Sequence, residues 1–213
     1  MRFFTWHAIV GSKYETEFQW VDPVFGEAPV CPKCGSSTGL KPWLPPHRVE
    51  LFRHGSIFGD AAYGAGYELL VTERFRFVWE RHSLRGLSIF SPVDIVRIRP
   101  RSAAAEAPTY LHVVPSLTNT SIDDKRSRLI RSGVEFCEVC KAGATLDAIN
   151  GFYIAEETWK GEDVFLPRGL SGTVVVTERF ANAVEKSGLV GINLTPVEKY
   201  RWDPLGKLSR SAS

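Results

Sequence analysis

The sequence predicts an α+β fold of two related halves, rich in strands, with one clear helix per half and a zinc site joining them. Three observations lead there. A block of sequence recurs at one offset. Helical periodicity is confined to two short stretches, with strand-like runs around them. The chain's four cysteines form two C-x-x-C pairs.

The recurrence is ordered. Val71-Thr72-Glu73-Arg74-Phe75 returns word for word as Val176-Thr177-Glu178-Arg179-Phe180, 105 residues on. Leu84 and Gly86 match Leu189 and Gly191 at that offset. Pro92-Val93-Asp94, Arg97 and Pro100 match Pro196-Val197-Glu198, Arg201 and Pro204 at 104. Cys31 and Cys34 match Cys137 and Cys140 at 106, and His7 and His112 lie 105 apart. Chance yields one shared pentapeptide far more readily than several matches in one order. The expected division is a first half, 1–101, a small-residue linker, 102–108, and a second half, 109–213.

Taken in order, residues 3–10 are aromatic and branched and read as a buried opening strand, with 109–114 as its counterpart. Asp22 to Val30 is a Pro- and Gly-rich loop. Pro42, Pro45 and Pro46 make another irregular stretch, with Trp43 and Leu44 pinning it to the core. Tyr67 to Val71 is strand-like, and Thr72 is placed to cap a helix whose first turn carries Glu73. Phe75, Val78, Trp79 and His82 share one helical face, and Gly86 reads as the stop. The second copy repeats this with Val174 to Val176, the cap Thr177, the inward Phe180, Ala183 and Val184, and the stop Gly188. The Glu and Arg of the repeated pentapeptide read as the surface of a helix start. Gly86 to Arg99 and Gly191 to Trp202 are strand-like, bent or at an edge because of Pro92 and Pro196. Leu205 to Ser213 is a polar, frayed tail.

Cys31-Pro32-Lys33-Cys34-Gly35 and Cys137-Glu138-Val139-Cys140 have the spacing that turns two thiolates toward one ion. Four thiolates complete the tetrahedral shell of Zn²⁺, so the expected structural zinc ligands are Cys31, Cys34, Cys137 and Cys140. The 102 residues between Cys34 and Cys137 exclude a local zinc ribbon, whose pairs lie roughly 15–20 apart. A shared metal would tie distant parts of the chain together. Free thiol pairs, two disulfides and two redox motifs are the alternatives. A redox motif opens a helix, whereas Gly35 to Gly39 reads as loop.

Composition narrows the function classes. Apolar residues at 44% and charged residues at 23% fit a soluble globular protein. A net charge of +2 lacks the basic excess of a sequence-independent nucleic-acid binder. The runs Arg97, Arg99, Arg101 and Lys125, Arg126, Arg128, Arg131 read as solvated faces. No secretory signal or membrane-length apolar run is visible, so the cytoplasm is the expected compartment, where reduced thiols favour metal over disulfide. There is no phosphate loop, dinucleotide fingerprint, G-x-S-x-G elbow or H-E-x-x-H motif. The histidines are scattered, and a four-cysteine shell leaves a zinc no open position. The expectation is a protein without catalysis and without a small-molecule substrate.

The two separated C-x-x-C pairs, with Thr177-Glu178-Arg179-Phe180 after the second, resemble the double-CXXCG motif family, known mostly from myxobacteria. Cys31 to Gly35 fits that motif fully. Lys141 follows the second pair where the family has glycine, which leaves the ligands in place. The resemblance implies a cytosolic immunity protein that binds and blocks one toxin domain. The alternative is a zinc-dependent nucleic-acid-associated or regulatory protein.

A candidate partner-binding stretch comes from an asymmetry. Tyr153 to Asp163 gathers Glu156, Glu157, Glu162 and Asp163 around Trp159, whereas the equivalent 49–58 is basic and apolar, with Arg53 and His54. A feature of one copy alone is free to serve binding; the alternative is a solvated loop whose tryptophan packs inward. Tryptophan favours hot spots, and the acidic surroundings would steer a basic toxin.

Overall fold

In the computed structural model the chain is described except for residues 9, 40, 66–67, 134–136, 141–142, 171 and 211–213. Ile9, the Tyr67 start of an expected strand, Lys141 and the last three residues of the tail thus lie outside the described residues. The elements of the first part are β1 (Phe3–His7), β2 (Thr16–Trp20), β3 (Val24–Phe25), β4 (Trp43–Leu44), β5 (His47–Arg53), β6 (Ala61–Tyr63), β7 (Leu69–Thr72), α1 (Glu73–Arg81) and β8 (Leu87–Arg99). They continue as β9 (Tyr110–Ser121), β10 (Leu129–Ser132), β11 (Thr145–Asn150), β12 (Val164–Arg168), β13 (Val174–Thr177), α2 (Glu178–Ser187), β14 (Asn193–Pro196), β15 (Arg201–Trp202) and the short α3 (Lys207–Arg210).

The result is strand-rich and α+β-like. Ten strands form one mixed sheet in the order β14-β1-β13-β12-β9-β7-β6-β2-β5-β8, and β8 also pairs with β9. Strands β9, β7, β6, β2, β5 and β8 therefore close into a ring, and β12, β13, β1 and β14 extend from β9. β9 makes this possible by its length: residues 110–113 lie on β7, 111–115 on β8 and 116–121 on β12. β8 is bent as its proline implies. Its residues 87–92 run along β9 and 93–99 along β5, with a bulge between Ser88 and Ser91. Among the described residues there are two smaller sheets, β10-β11-β15 and β3-β4, and isolated bridges between Val30 and Ser37 and between Ile122 and Ile154.

The opening strands pair across the chain. β1 lies between β13 and β14, with Phe3 opposite Thr177, while β9 sets Tyr110 opposite Thr72. Residues 101–106 form a 3₁₀ turn whose Ala103 is wholly buried in the ring core.

The continuous apolar runs of β7 and β13 are explained by cover on both faces. Leu69 and Val71 face the helices while Leu70 faces the ring interior with Phe18, Val49, Leu51 and Tyr110. Val174 and Val176 likewise face the helices, and Val175 packs on the other side with Phe3, Phe165 and Phe152. Between sheet and helices, Trp6 lies against Phe75 and Phe180 with ring centroids 5.7 and 5.2 Å away.

Both copies of Val-Thr-Glu-Arg-Phe are the end of a strand leading into a helix. Thr72 Oγ1 accepts from Phe75 N at 3.2 Å, and Thr177 Oγ1 from Phe180 N at 3.3 Å. The arginines do more than decorate a surface. Asp60 is buried and accepts from Thr72 Oγ1 at 2.8 Å, from Val190 N at 2.8 Å and from Arg74 at 2.9 Å. Arg74 also donates to the Ser187 and Gly188 carbonyls that end α2. Asp163 is buried and accepts from Thr177 Oγ1 at 2.8 Å and from Arg85 N at 2.9 Å, with Arg179 at 3.4 Å. Arg179 donates to the His82 and Ser83 carbonyls that end α1. Each latch joins one helix start to the other helix end, so both arginines are structural bridges.

Three local expectations are corrected. α1 stops before Gly86: His82 is its C-cap and Ser83 takes the left-handed conformation, φ +47°. Gly86 instead sits where a Cβ would lie 1.9 Å from Val164 O. Trp43 is in the core, but Leu44 is exposed. Residues 207–210 are a short helix rather than a frayed tail, with Asp203 accepting from Lys207 N and Leu208 N at 2.7 and 3.0 Å.

Candidate metal centre

The first cysteine pair sits in a tight turn closed by a bridge between Val30 and Ser37. Cys31 N donates to Ser36 O at 2.8 Å, and Gly35 N returns to Cys31 O at 2.9 Å. The turn sets both sulfurs on one side. Residues 138–140 also form a turn, and Arg168 Nη1, at the end of β12, donates to Val139 O at 3.0 Å. Lys33 Nζ meets Glu138 across the two turns at 2.7 Å.

These turns bring four sulfurs together from opposite parts of the sequence. Cys31 Sγ lies 4.0 Å from Cys137 Sγ, Cys34 Sγ lies 3.6 Å from Cys140 Sγ, and all four fall within 4.8 Å of one another. A disulfide needs about 2.05 Å between sulfurs, and all four cysteines are free thiols. A tetrahedron with metal–sulfur bonds of about 2.3 Å has edges of about 3.8 Å. The spacing therefore fits a single ion, and the four thiolates can hold one. Cys31 is buried, Cys137 and Cys140 are half-buried and Cys34 is exposed.

The surroundings favour thiolates at Cys34 and Cys137. The Ser36 hydroxyl, then the Ser36 N–H, hydrogen-bond Cys34 and draw its thiol down to about 6. The N–H groups of Cys140 and Val139 lower that of Cys137. Donors aimed at sulfur stabilise the ionised form that binds cations. A cleft of about 250 Å³ beside Cys140 is lined by Leu117, Arg131, Leu166 and Arg168.

The acidic stretch is placed differently from its sequence reading. Glu156 and Glu157 are exposed in a short 3₁₀ turn, and the Met1 amino group lies 3.3 Å from Glu156. Trp159 is half-buried. Its ring stands edge-on to Phe3 at 5.7 Å, and its Nε1 donates to Glu162 O at 2.9 Å. Glu162 is half-buried and accepts from Lys160 N. Asp163 is only 2% exposed and belongs to the latch, so it presents no carboxylate to solvent. A word-for-word Thr-Glu-Arg in two places was the sequence signal for the latches. Their aspartates lie 12 and 14 residues before Thr72 and Thr177, too far to be local caps.

Two histidines, His47 and His112, are buried. His112 Nε2 lies 2.5 Å from Glu68 in the interior, and His47 Nε2 lies 3.1 Å from Trp43 O. The rings of Trp43, His47 and His112 have centroids 4.6–4.9 Å apart and pack together. No helix among the described residues is long and apolar enough to cross a membrane.

No family model matches the chain, and no curated protein matches it in sequence.

Proposed function

We propose that the protein is a cytosolic immunity protein that neutralises a cognate bacterial toxin by stoichiometric binding, on a scaffold braced by a structural zinc. The observation carrying this reading is the four-cysteine cluster, because it unites the two distant C-x-x-C pairs on which the double-CXXCG resemblance rests. Zinc is the metal suited to four thiolates at tetrahedral spacing, and such a shell leaves no position for a substrate. The matched latches and the crossed pairing of β1 and β9 support reading the chain as two copies of one unit. Each copy gives one knuckle to the metal.

Binding without turnover accounts for the absence of a recognised catalytic motif. The partner-facing residues of this reading are Glu156, Glu157 and Glu162 beside Trp159, with Asp163 holding the stretch from within. The test is co-expression with a toxin encoded beside this gene. Protection at equal molar amounts supports the reading. A chain that gives no protection, or that consumes a substrate, contradicts it.

A further inference from the structure

The two helices differ on their outward faces. α1 buries Phe75, Val78 and Trp79, yet Phe77 points the other way and is 62% exposed. At the matching position, 105 residues on, α2 carries the exposed Asn182. The fold thus builds one such helix without an aromatic there. An exposed phenyl adds no burial to the isolated chain.

Phe77 stands in a groove of about 400 Å³ between α1 and the last turn of α2. Its lining includes Arg74, Arg81 and Lys186 beside His82, with no carboxylate. Arg74 is committed to Asp60 and to the end of α2. Arg81 and Lys186 have no ion pair among the described residues. Arg76, on the same helix, is held by Glu73 at 3.0 Å and Glu80 at 3.7 Å. The groove therefore gathers cations and leaves two of them unmatched beside an exposed ring.

We propose that this face docks an acidic segment of a partner protein, with carboxylates against Arg81 and Lys186 and an apolar side chain against Phe77. The proposal rests on the reading of the chain as a binding protein and adds a second contact of opposite charge, apart from the Glu156, Glu157 and Glu162 stretch. An aromatic anchor ringed by charge is the composition of an interface hot spot. Nucleic acid fits less well. It needs a track of phosphate contacts, whereas the groove offers two unpaired cations on a chain of net charge +2.

Fluorescence anisotropy of the full chain tests it with three probes: a labelled Glu/Leu-rich peptide, its Lys/Leu counterpart and a thymidine oligonucleotide. The expected result is that the Glu/Leu peptide binds best. Phe77→Asn and the pair Arg81→Glu with Lys186→Glu should each raise its Kd at least tenfold. The charge-matched pair Lys125→Glu with Arg126→Glu should leave it within twofold. Absence of peptide binding, equal loss in the charge-matched pair, or tighter binding of the oligonucleotide would overturn the proposal. Toxin co-expression separates it from the reading beneath it. Protection that survives Phe77→Asn and the groove reversal removes the docking face alone, whereas a parent chain that never protects removes the immunity reading.

Discussion

Residues 71–86 and 176–191 start from the same five residues and end differently. Both run strand, threonine cap and helix, and both anchor the cap on a buried aspartate. α2 ends on Gly188 in the left-handed conformation, φ +60°, while α1 asks the same of Ser83 at φ +47°. Outside, α1 shows Phe77 where α2 shows Asn182. Identity is kept in the threonine cap, the latch arginine and the first buried phenylalanine, whereas buried Val78 and Trp79 give way to Ala183 and Val184 and exposed Phe77 to Asn182. The shared cap and latch residues are those the architecture requires, and of the unshared positions the exposed one at Phe77 is available for recognition.

The largest effect should come from breaking a latch. Asp60→Ala or Asp163→Ala strands a threonine hydroxyl, a backbone N–H and an arginine around the space of a buried carboxylate. Each should cost about 3 kcal/mol in denaturant unfolding. Arg74→Ala and Arg179→Ala should cost about 1 kcal/mol, because both guanidinium groups are about half exposed. Matching costs for the two aspartates would sharpen the comparison. A neutral Asp60→Ala beside a costly Asp163→Ala would break it.

Metal removal comes next. Ligand binding to the native state alone adds about 4 kcal/mol when free metal stands 1,000-fold above its Kd. A chelator should therefore lower the melting temperature of the parent chain but leave a Cys34→Ser, Cys140→Ser double variant unchanged. Equal shifts in both would show that the chelator acts elsewhere.

The helix ends give the smallest effects, with opposite signs. Gly188→Ala places a Cβ in a left-handed cap and should cost about 1 kcal/mol, while Ser83→Gly relieves that strain and should gain a few tenths. Thermal unfolding of the pair checks both. A stabilising Gly188→Ala would remove the distinction drawn between the two ends.

What the sequence made legible was local. Thr72 and Thr177 could be read as caps because the groups they satisfy lie three residues away, and Phe75, Val78 and Trp79 because one helix face repeats within a turn. The cysteine pairs were legible because C-x-x-C spacing is itself local, each pair lying within one turn. Illegible features depended on distant partners. Nothing near Phe3 announces a strand opposite Thr177, and nothing near Arg74 announces the carbonyls of Ser187 and Gly188. Asp163 looked like part of an acidic surface because Glu156, Glu157 and Glu162 precede it in sequence, but its neighbours in space are Thr177, Arg85 and Arg179. Leu44 was expected in the core beside Trp43, yet adjacent strand residues point to opposite faces, and only Trp43 is buried.

The central claim is that two cysteine pairs, far apart in the chain, serve one ion. Native mass spectrometry of the purified chain, with elemental identification of the metal, tests it most directly. The account predicts one zinc per chain, held more weakly in Cys34→Ser and Cys140→Ser alike, because each leaves three thiolates and an open position in the shell. Two ions per chain, no ion, or full retention in either variant would contradict it.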